Sequence, residues 1–216
     1  MSSAPPTHIR LDDAYVLRQF RVGDAKALAL AVHESLEHLR PWMPWADEAS
    51  TDERFQRQRL RGVQHKAAAG EEWQYGFFPD DESRVLGSFG LMTRQGAGTI
   101  EIGYWVHVDE IGHGLATRAS AALTDVSLAL EGTTTVYIRC DERNARSAAV
   151  PRRLGYTLEE TVTRAPEAPG ESGRLMIWGA SVCTRSEKYA YCAWVIASLR
   201  LRRSRFSSSN ASSASR

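Results

Sequence analysis

Cysteine is scarce in this chain. Its 216 residues include three, Cys140, Cys183 and Cys192. They show no CxxC spacing, which argues against a disulfide framework or a thiolate metal cluster. Such usage fits a reducing compartment, and the cytoplasm is the expected location. Long apolar runs are also missing. No stretch reaches the eighteen or so apolar residues that a spanning helix needs, so no membrane span is expected. "MSSAPPTHIRLDD" lacks the apolar core of a secretion signal. Histidines at zinc spacing are absent. His33 and His38 in "HESLEH" stand five apart, not the four that would put both on one helix face. No metal is therefore expected. There is no G-x-S-x-G elbow, and no lysine follows a glycine loop as a Walker A site requires.

What is present is ordinary for a water-soluble domain, with 43% hydrophobic and 25% charged residues. The length allows one domain with a substantial core. The formal net charge of +1 conceals an asymmetry. From Ser181 onward there are seven Lys or Arg against one acid, which leaves the first 180 residues at −5. An acidic body suits a cationic partner. The basic end, "EKYAYCAWVIASLRLRRSRF", reads as a short amphipathic helix, and "SSSNASSASR" as disorder. Runs of that kind are usually solvated, so no nucleic-acid partner is required.

Periodicity divides the rest. Residues 1–14 read as a flexible polar tail, 15–180 as one domain and 181–216 as an extension. "YVLRQFRV" alternates as a strand. "GDAKALALAVHESLEHL" is helical, with Leu28, Val32, Leu36 and Leu39 on one face, and Pro41 ends it. Ser50 and Glu53 match a capping box for a second helix to about Ala69, whose expected buried stripe is Phe55, Leu60, Val63 and Ala67. Three strand-like runs, "EWQYGFFP", "RVLGSFGLMT" and "TIEIGYWVHV", are separated by short turn-rich breaks and should pair antiparallel. A helix from about Leu115 to Leu130 follows, then the strand "TTTVYIRCD" and the short helix "NARSAAVPRRLG". The strands "YTLEETVTR" and "GRLMIWGAS" come last. The expectation is a mixed α/β domain with a mostly antiparallel sheet of six to seven strands and about four helices.

One junction stands out, "VHVDEIGHGLATRAS". Two glycines flank a histidine between a strand and a helix, where uncapped N–H groups and the helix dipole form an anion site. Taken alone, Gly112 and Gly114 could merely permit a tight turn. Taken with "EIGYW" before it and "NARSAAVPRRLGY" after it, the chain resembles the GNAT family of N-acetyltransferases. Within that family it looks most like the group that includes the ribosomal-protein N-terminal acetyltransferases. "LRQFRVGDA", "LRPWMPW" and "GYTLEE" extend the resemblance over about residues 15–180.

The resemblance implies the GNAT fold, acetyl-coenzyme A as co-substrate and a primary amine as acceptor. The acceptor it implies first is a protein N-terminus or ribosomal protein, then an aminoglycoside or other small polyamine. A non-catalytic acyl-coenzyme A module is the rival reading. Monomer and homodimer are both compatible. The family's turn has the form Gln/Arg-x-x-Gly-x-Gly/Ala. Here Ile111 takes the polar first position, with Gly114 and Ala116 in the last two. The backbone of Gly112, His113, Gly114, Leu115, Ala116 and Thr117 is thereby implied to hold the pyrophosphate. The backbone around Val106, His107 and Val108 is implied to meet the pantetheine arm where two parallel strands splay. Asn144 lies beside that arm, and also suits a helix N-cap.

Acetyl transfer needs a neutral amine, donors for the oxyanion and an acid for the departing thiolate. Glu101 shares a strand face with Gly103 and Trp105 and is the first candidate base, acting through a water. Glu167 and Glu171, in "RAPEAPGESG", are its rivals. Ser147 is the candidate acid, ranked above Tyr156. Pro151 lacks an N–H, so the Ser147 carbonyl is left for water or ligand. Trp42 and Glu167 are expected at the acceptor wall, while Trp45 is expected to plug the core edge.

Overall fold

The computed structural model describes residues 4–181. Of the expected 181–216 extension, with its helix and disordered end, all but Ser181 lies outside them. Eight strands form one sheet in the order β1-β2-β3-β4-β5-β6-β8-β7. They are β1 (His8–Arg10), β2 (Tyr15–Gln19), β3 (Glu72–Pro79), β4 (Gly87–Met92), β5 (Thr99–Val106), β6 (Thr135–Asp141), β7 (Thr157–Thr163) and β8 (Arg174–Ser181). Four helices cover it: α1 (Ala25–Leu39), α2 (Glu53–Ala68), α3 (Leu115–Ala129) and α4 (Ala145–Arg153). Every strand pair is antiparallel except β5 with β6.

The extra strand, β1, lies in the segment expected as a tail. Three residues with one apolar side chain, Ile9, are too few for a period to register. β1 pairs with β2, and the Tyr75 hydroxyl donates to Pro6 O at 2.7 Å just before it.

Alternation along the central strands sends side chains to two cores. On one face Leu17, Phe77, Phe89 and Ile102 pack with Leu115, Ala119 and Leu123 of α3 and Ala148 and Val150 of α4. On the other, Val16, Phe78 and Trp105 pack with Leu28, Val32, Leu36 and Leu39 of α1 and Leu60 of α2. The central strands are thus covered on both sides, which is why they read as nearly continuous apolar runs. The edge strand β7, "TLEETVT", is mostly exposed, and its acids deter pairing with a further strand.

The start of α2 departs from the expected capping box. Asp52 is its N-cap, and its carboxylate accepts from Phe55 N–H at 3.0 Å. Ser50 belongs to a preceding 3-10 turn closed by Asp47. The buried stripe accordingly runs through Gln56, Leu60 and Val63, while Phe55 is exposed. Gln56 is tolerated there because its amide donates to Ser50 O at 2.6 Å and its oxygen accepts from Arg59. Asp52→Ala should lower the unfolding free energy by about 1 kcal/mol. Glu53→Ala, which removes only a helix-surface ion pair with Arg57, should cost about 0.5 kcal/mol or less. Urea denaturation of the two variants checks the assignment.

Candidate active site

The site is built on the one parallel pairing. β5 and β6 are in register only over Thr99–Glu101 against Thr135–Tyr137. Both strands then continue, β5 along β4 to Val106 and β6 along β8 to Asp141. The closed end of this wedge is fastened by Gly98 O, which accepts from Thr134 N at 2.8 Å and Thr135 N at 3.2 Å. The His107 N–H donates to Leu86 O at 2.9 Å, which sets the phase of β5. Odd-numbered residues bond β4 and even-numbered ones face β6. Beyond the last parallel pair, Tyr104 and Val106 therefore direct N–H and C=O into the gap.

At the open end each strand is fixed to a different neighbour. On the β5 side, the His107 ring is buried, and its Nε2 lies 2.9 Å from Glu34 Oε2 on α1. Its Nδ1 accepts from Asp109 N–H at 3.2 Å, so the proton on Nε2 is the one shared with Glu34. Val108 N–H donates to Ser35 Oγ at 3.1 Å. These bonds consume the N–H groups of His107 and Val108. Of the three residues expected along the pantetheine arm, Val106 keeps its backbone turned to the gap, and Tyr104 joins it.

On the β6 side, buried Asp141 accepts from Arg143 N, Ser172 N, Ser172 Oγ and Gly173 N at 3.0–3.1 Å. Burial works against its charge, but these donors outweigh it and hold the carboxyl below its ordinary pKa. The same residue thus anchors the turn into α4 and the loop between β7 and β8.

The glycine turn lies beyond the β5 end. Gly112 and Gly114 have φ of 87° and 74°, a region open to glycine at little cost. Gly114 is the α3 N-cap, with no side-chain capping bond. The Arg118 N–H donates to Gly114 O at 3.1 Å, so the N–H groups of Leu115, Ala116 and Thr117 precede the helical ladder. Ile111 is half-buried, and His113 is exposed with Nδ1 3.4 Å from Glu110 Oε2.

Asn144 caps α4, its side chain accepting from Ser147 N–H at 3.1 Å. Ser147 is half-buried in the first turn. Its carbonyl, orphaned by Pro151, is met by the Tyr104 hydroxyl at 3.1 Å. A protein group thus takes the place expected for water or ligand. Tyr156 is buried and bonded to Thr124 of α3 at 2.6 Å.

Glu101 sits at the closed end, buried on the α1/α2 face. Arg94 Nε and Nη2 approach it at 3.0 and 2.5 Å, Gln95 Nε2 at 2.7 Å and Arg139 Nε at 3.0 Å. Burial raises its pKa, but the two guanidiniums and the amide outweigh this and hold the carboxyl below its usual range. A carboxylate saturated with donors is a weak proton acceptor, which weighs against the expected role of general base. The rivals are occupied as well. Glu171 is buried, accepting from Glu167 N and Arg164, and Glu167 itself pairs with Arg164 at 2.8 Å.

The acceptor-side expectations converge differently. Gly170 N–H donates to Pro41 O at 2.8 Å, and a Cβ on Gly170 would lie 2.6 Å from that oxygen. The Trp42 and Glu167 loops therefore meet. Trp42 is half-buried. Trp45, expected to plug the core edge, is 40% exposed and tilts over Trp105 of β5 at 6.3 Å between centroids. A ring of contacts results: β5 through Trp105 and Trp45 to Pro41, through Gly170 to Ser172, and through Asp141 back to β6. It frames the open end of the wedge. Tyr104, Trp105, Asp141 and Gly170 were not singled out from the sequence. The alternation of "EIGYW" could have placed Tyr104 and Trp105 on opposite faces, but the long-range partners carry no local signal. A separate depression of about 540 Å³, lined by Trp73, Gly98 and Gly132 among others, lies by the closed end.

The chain belongs to the GNAT acetyltransferase family: the acetyltransferase (GNAT) domain model matches residues 15–157. It is thereby an acyltransferase. A search of curated proteins returns no match. Among solved structures, the ribosomal-protein-S5-alanine acetyltransferase from Vibrio fischeri superposes with a TM-score of 0.74 at 19% identity, covering 82% of this chain and 97% of that one. Mycobacterium smegmatis RimJ, in complex with CoA-disulfide, gives 0.73 at 21%, covering 80% and 84%. The microcin C7 self-immunity acetyltransferase MccE, in complex with acetyl-CoA and AMP, gives 0.75 at 19%, covering 83% and 99%. Among the described residues no helix is long and apolar enough to cross a membrane.

Glu101→Gln separates a structural from a catalytic carboxylate. A group with a lowered folded pKa contributes stability above its unfolded pKa and loses it as pH falls. The variant should lose about 2 kcal/mol at pH 7, a modest figure because Arg94 is half-exposed and solvent-screened. The difference from wild type should shrink below about pH 4, and kcat should fall less than about tenfold, against the 10²-fold or more expected for a base. Denaturation across pH and steady-state kinetics read both quantities.

Proposed function

We propose that this protein moves the acetyl group of acetyl-coenzyme A onto the α-amino group of a protein N-terminus, with a ribosomal protein as the first acceptor to test. The observation that carries this is the wedge: two strands parted so that backbone N–H and C=O groups face an opening that leads to the uncapped start of α3. An extended arm of amides, such as pantetheine, can pair with free strand backbone. A pyrophosphate suits the N–H groups from Gly112 to Thr117 and the helix dipole, and these need no side chain, so Ile111 does not disable the cradle. His113 stands where a protonated ring would add charge. Asn144 and Ser147 border the gap from α4, and in this reading Ser147 protonates the departing thiolate.

The state of the carboxylates favours an α-amine. Glu101, Glu167 and Glu171 are each engaged by guanidinium or backbone donors, so none is offered as a free base. A lysine-like amine, with a pKa of about 10.4, would need one, whereas an α-amino group at about 7.7–8.0 is already partly neutral. The framed opening, with Trp42, Trp45 and Glu167 at its rim, suits a chain terminus presented end-on. The relatives named for ribosomal proteins agree with this choice, while MccE with bound AMP keeps a small-molecule amine as the second acceptor to test.

Thiol release from acetyl-coenzyme A should be measured with Ala- and Ser-initiated peptides, spermidine and an aminoglycoside. The peptides should turn over fastest. Their kcat/KM should rise with pH and level off above about pH 8, following the acceptor's own amine. Preference for spermidine or the aminoglycoside would move the acceptor to small molecules. Coenzyme A binding without turnover of any amine would leave the acyl-coenzyme A module.

A further inference from the structure

Pro151 breaks a local rule inside α4, and the repair comes from another element. The Ser147 carbonyl loses its helical donor because Pro151 has no N–H. Tyr104 of β5 reaches across to it. Its Oη lies 3.1 Å from Ser147 O and 3.2 Å from Ser147 Oγ. A phenol has one proton. Given to the carbonyl, it leaves Oη as an acceptor for the serine hydroxyl. Burial pushes the Tyr104 phenol well above its ordinary pKa, so it remains a donor at any working pH. With the Ser147 N–H held by Asn144 Oδ1, all three polar groups of Ser147 are fixed.

We infer that Tyr104 is a positioning residue for the transfer: it fixes the backbone and the hydroxyl of Ser147 at the wall of the wedge. The inference rests on the reading of Ser147 as the proton donor. In that step the N–C bond forms as the C–S bond breaks, and the electron pair stays on sulfur. The Ser147 hydroxyl turns from Tyr104 Oη and passes its proton to that sulfur. It regains one from water that has taken the proton lost by the amine. Tyr104 keeps its own proton on the carbonyl throughout.

Three substitutions, alone and in combination, test this with whichever amine of the panel turns over fastest. Ser147→Ala should lower kcat about 10²-fold. Tyr104→Phe should lower kcat about tenfold with the KM for acetyl-coenzyme A within about twofold, and the double variant should be no slower than Ser147→Ala alone. Tyr104→Phe also strands a carbonyl and is expected to melt lower. Pro151→Ala restores an N–H for that carbonyl. In Tyr104→Phe/Pro151→Ala the melting temperature should recover while kcat stays low. If the rate recovers with the melting temperature, Tyr104 serves only to satisfy a carbonyl and the inference is overturned. If Tyr104→Phe matches wild type while Ser147→Ala is slow, the inference fails and the acid assignment stands. If Ser147→Ala is itself as fast as wild type, both fall.

Discussion

The divergence of β5 from β6 is the constraint on which the rest of the structure depends. Two parallel strands normally keep pairing, because each unpaired backbone group costs free energy once buried. Here the ladder stops after three residue pairs although both strands go on. The cause lies outside the gap. β5 is bonded along its length to β4, and its end is drawn to α1 by His107 with Glu34 and by Val108 with Ser35. β6 is bonded along its length to β8, and its end is drawn to the β7–β8 loop by Asp141. The wedge is held open by the bonds of each strand to its other neighbour.

The same anchors arrange the chemistry. Asp141 fixes the entrance to α4, hence Asn144 and Ser147, while also setting the loop that carries Glu167 and Gly170. His107 orients the start of the glycine turn, since its Nδ1 and carbonyl bond the next residues, Asp109 and Glu110. On the proposed function, cofactor wall and acceptor rim therefore share supports. Glu101 and Arg139 do related work at the closed end, where the ion pair between β5 and β6 ties the two strands together.

Much of this was legible in the chain, and the limits have physical reasons. The helices appeared because Leu28, Val32, Leu36 and Leu39 repeat at helical spacing, and the central strands because they are apolar on both faces. The glycine turn showed because positive φ demands glycine at Gly112 and Gly114. The α2 cap was misplaced by two residues because Ser50 and Asp52 both suit a cap, and only the packing of Gln56 against the preceding turn decides between them. Glu101 looked like a base because alternation gives its face but not its partners. Arg139 lies in another strand, 38 positions later. Trp45 proved exposed rather than a plug of the core edge because a proline-rich loop has no period to read.

Pro151 shows where local reading goes furthest. A proline inside a helix contradicts helix propensity and predicts one specific unsatisfied carbonyl. The sequence located that group at Ser147 but could not name its donor, which comes from 43 positions earlier on a strand across the gap. Natural sequences tend to break local rules at sites where function recovers the cost. Here the cost is a missing helical bond. What it permits is a cross-link between β5 and α4, the two elements that flank the wedge, made at the residue proposed as the proton donor. An ordinary helix would have satisfied the Ser147 carbonyl internally and left Tyr104 with one partner fewer. The proline thus converts an internal bond of α4 into a bond that spans the site.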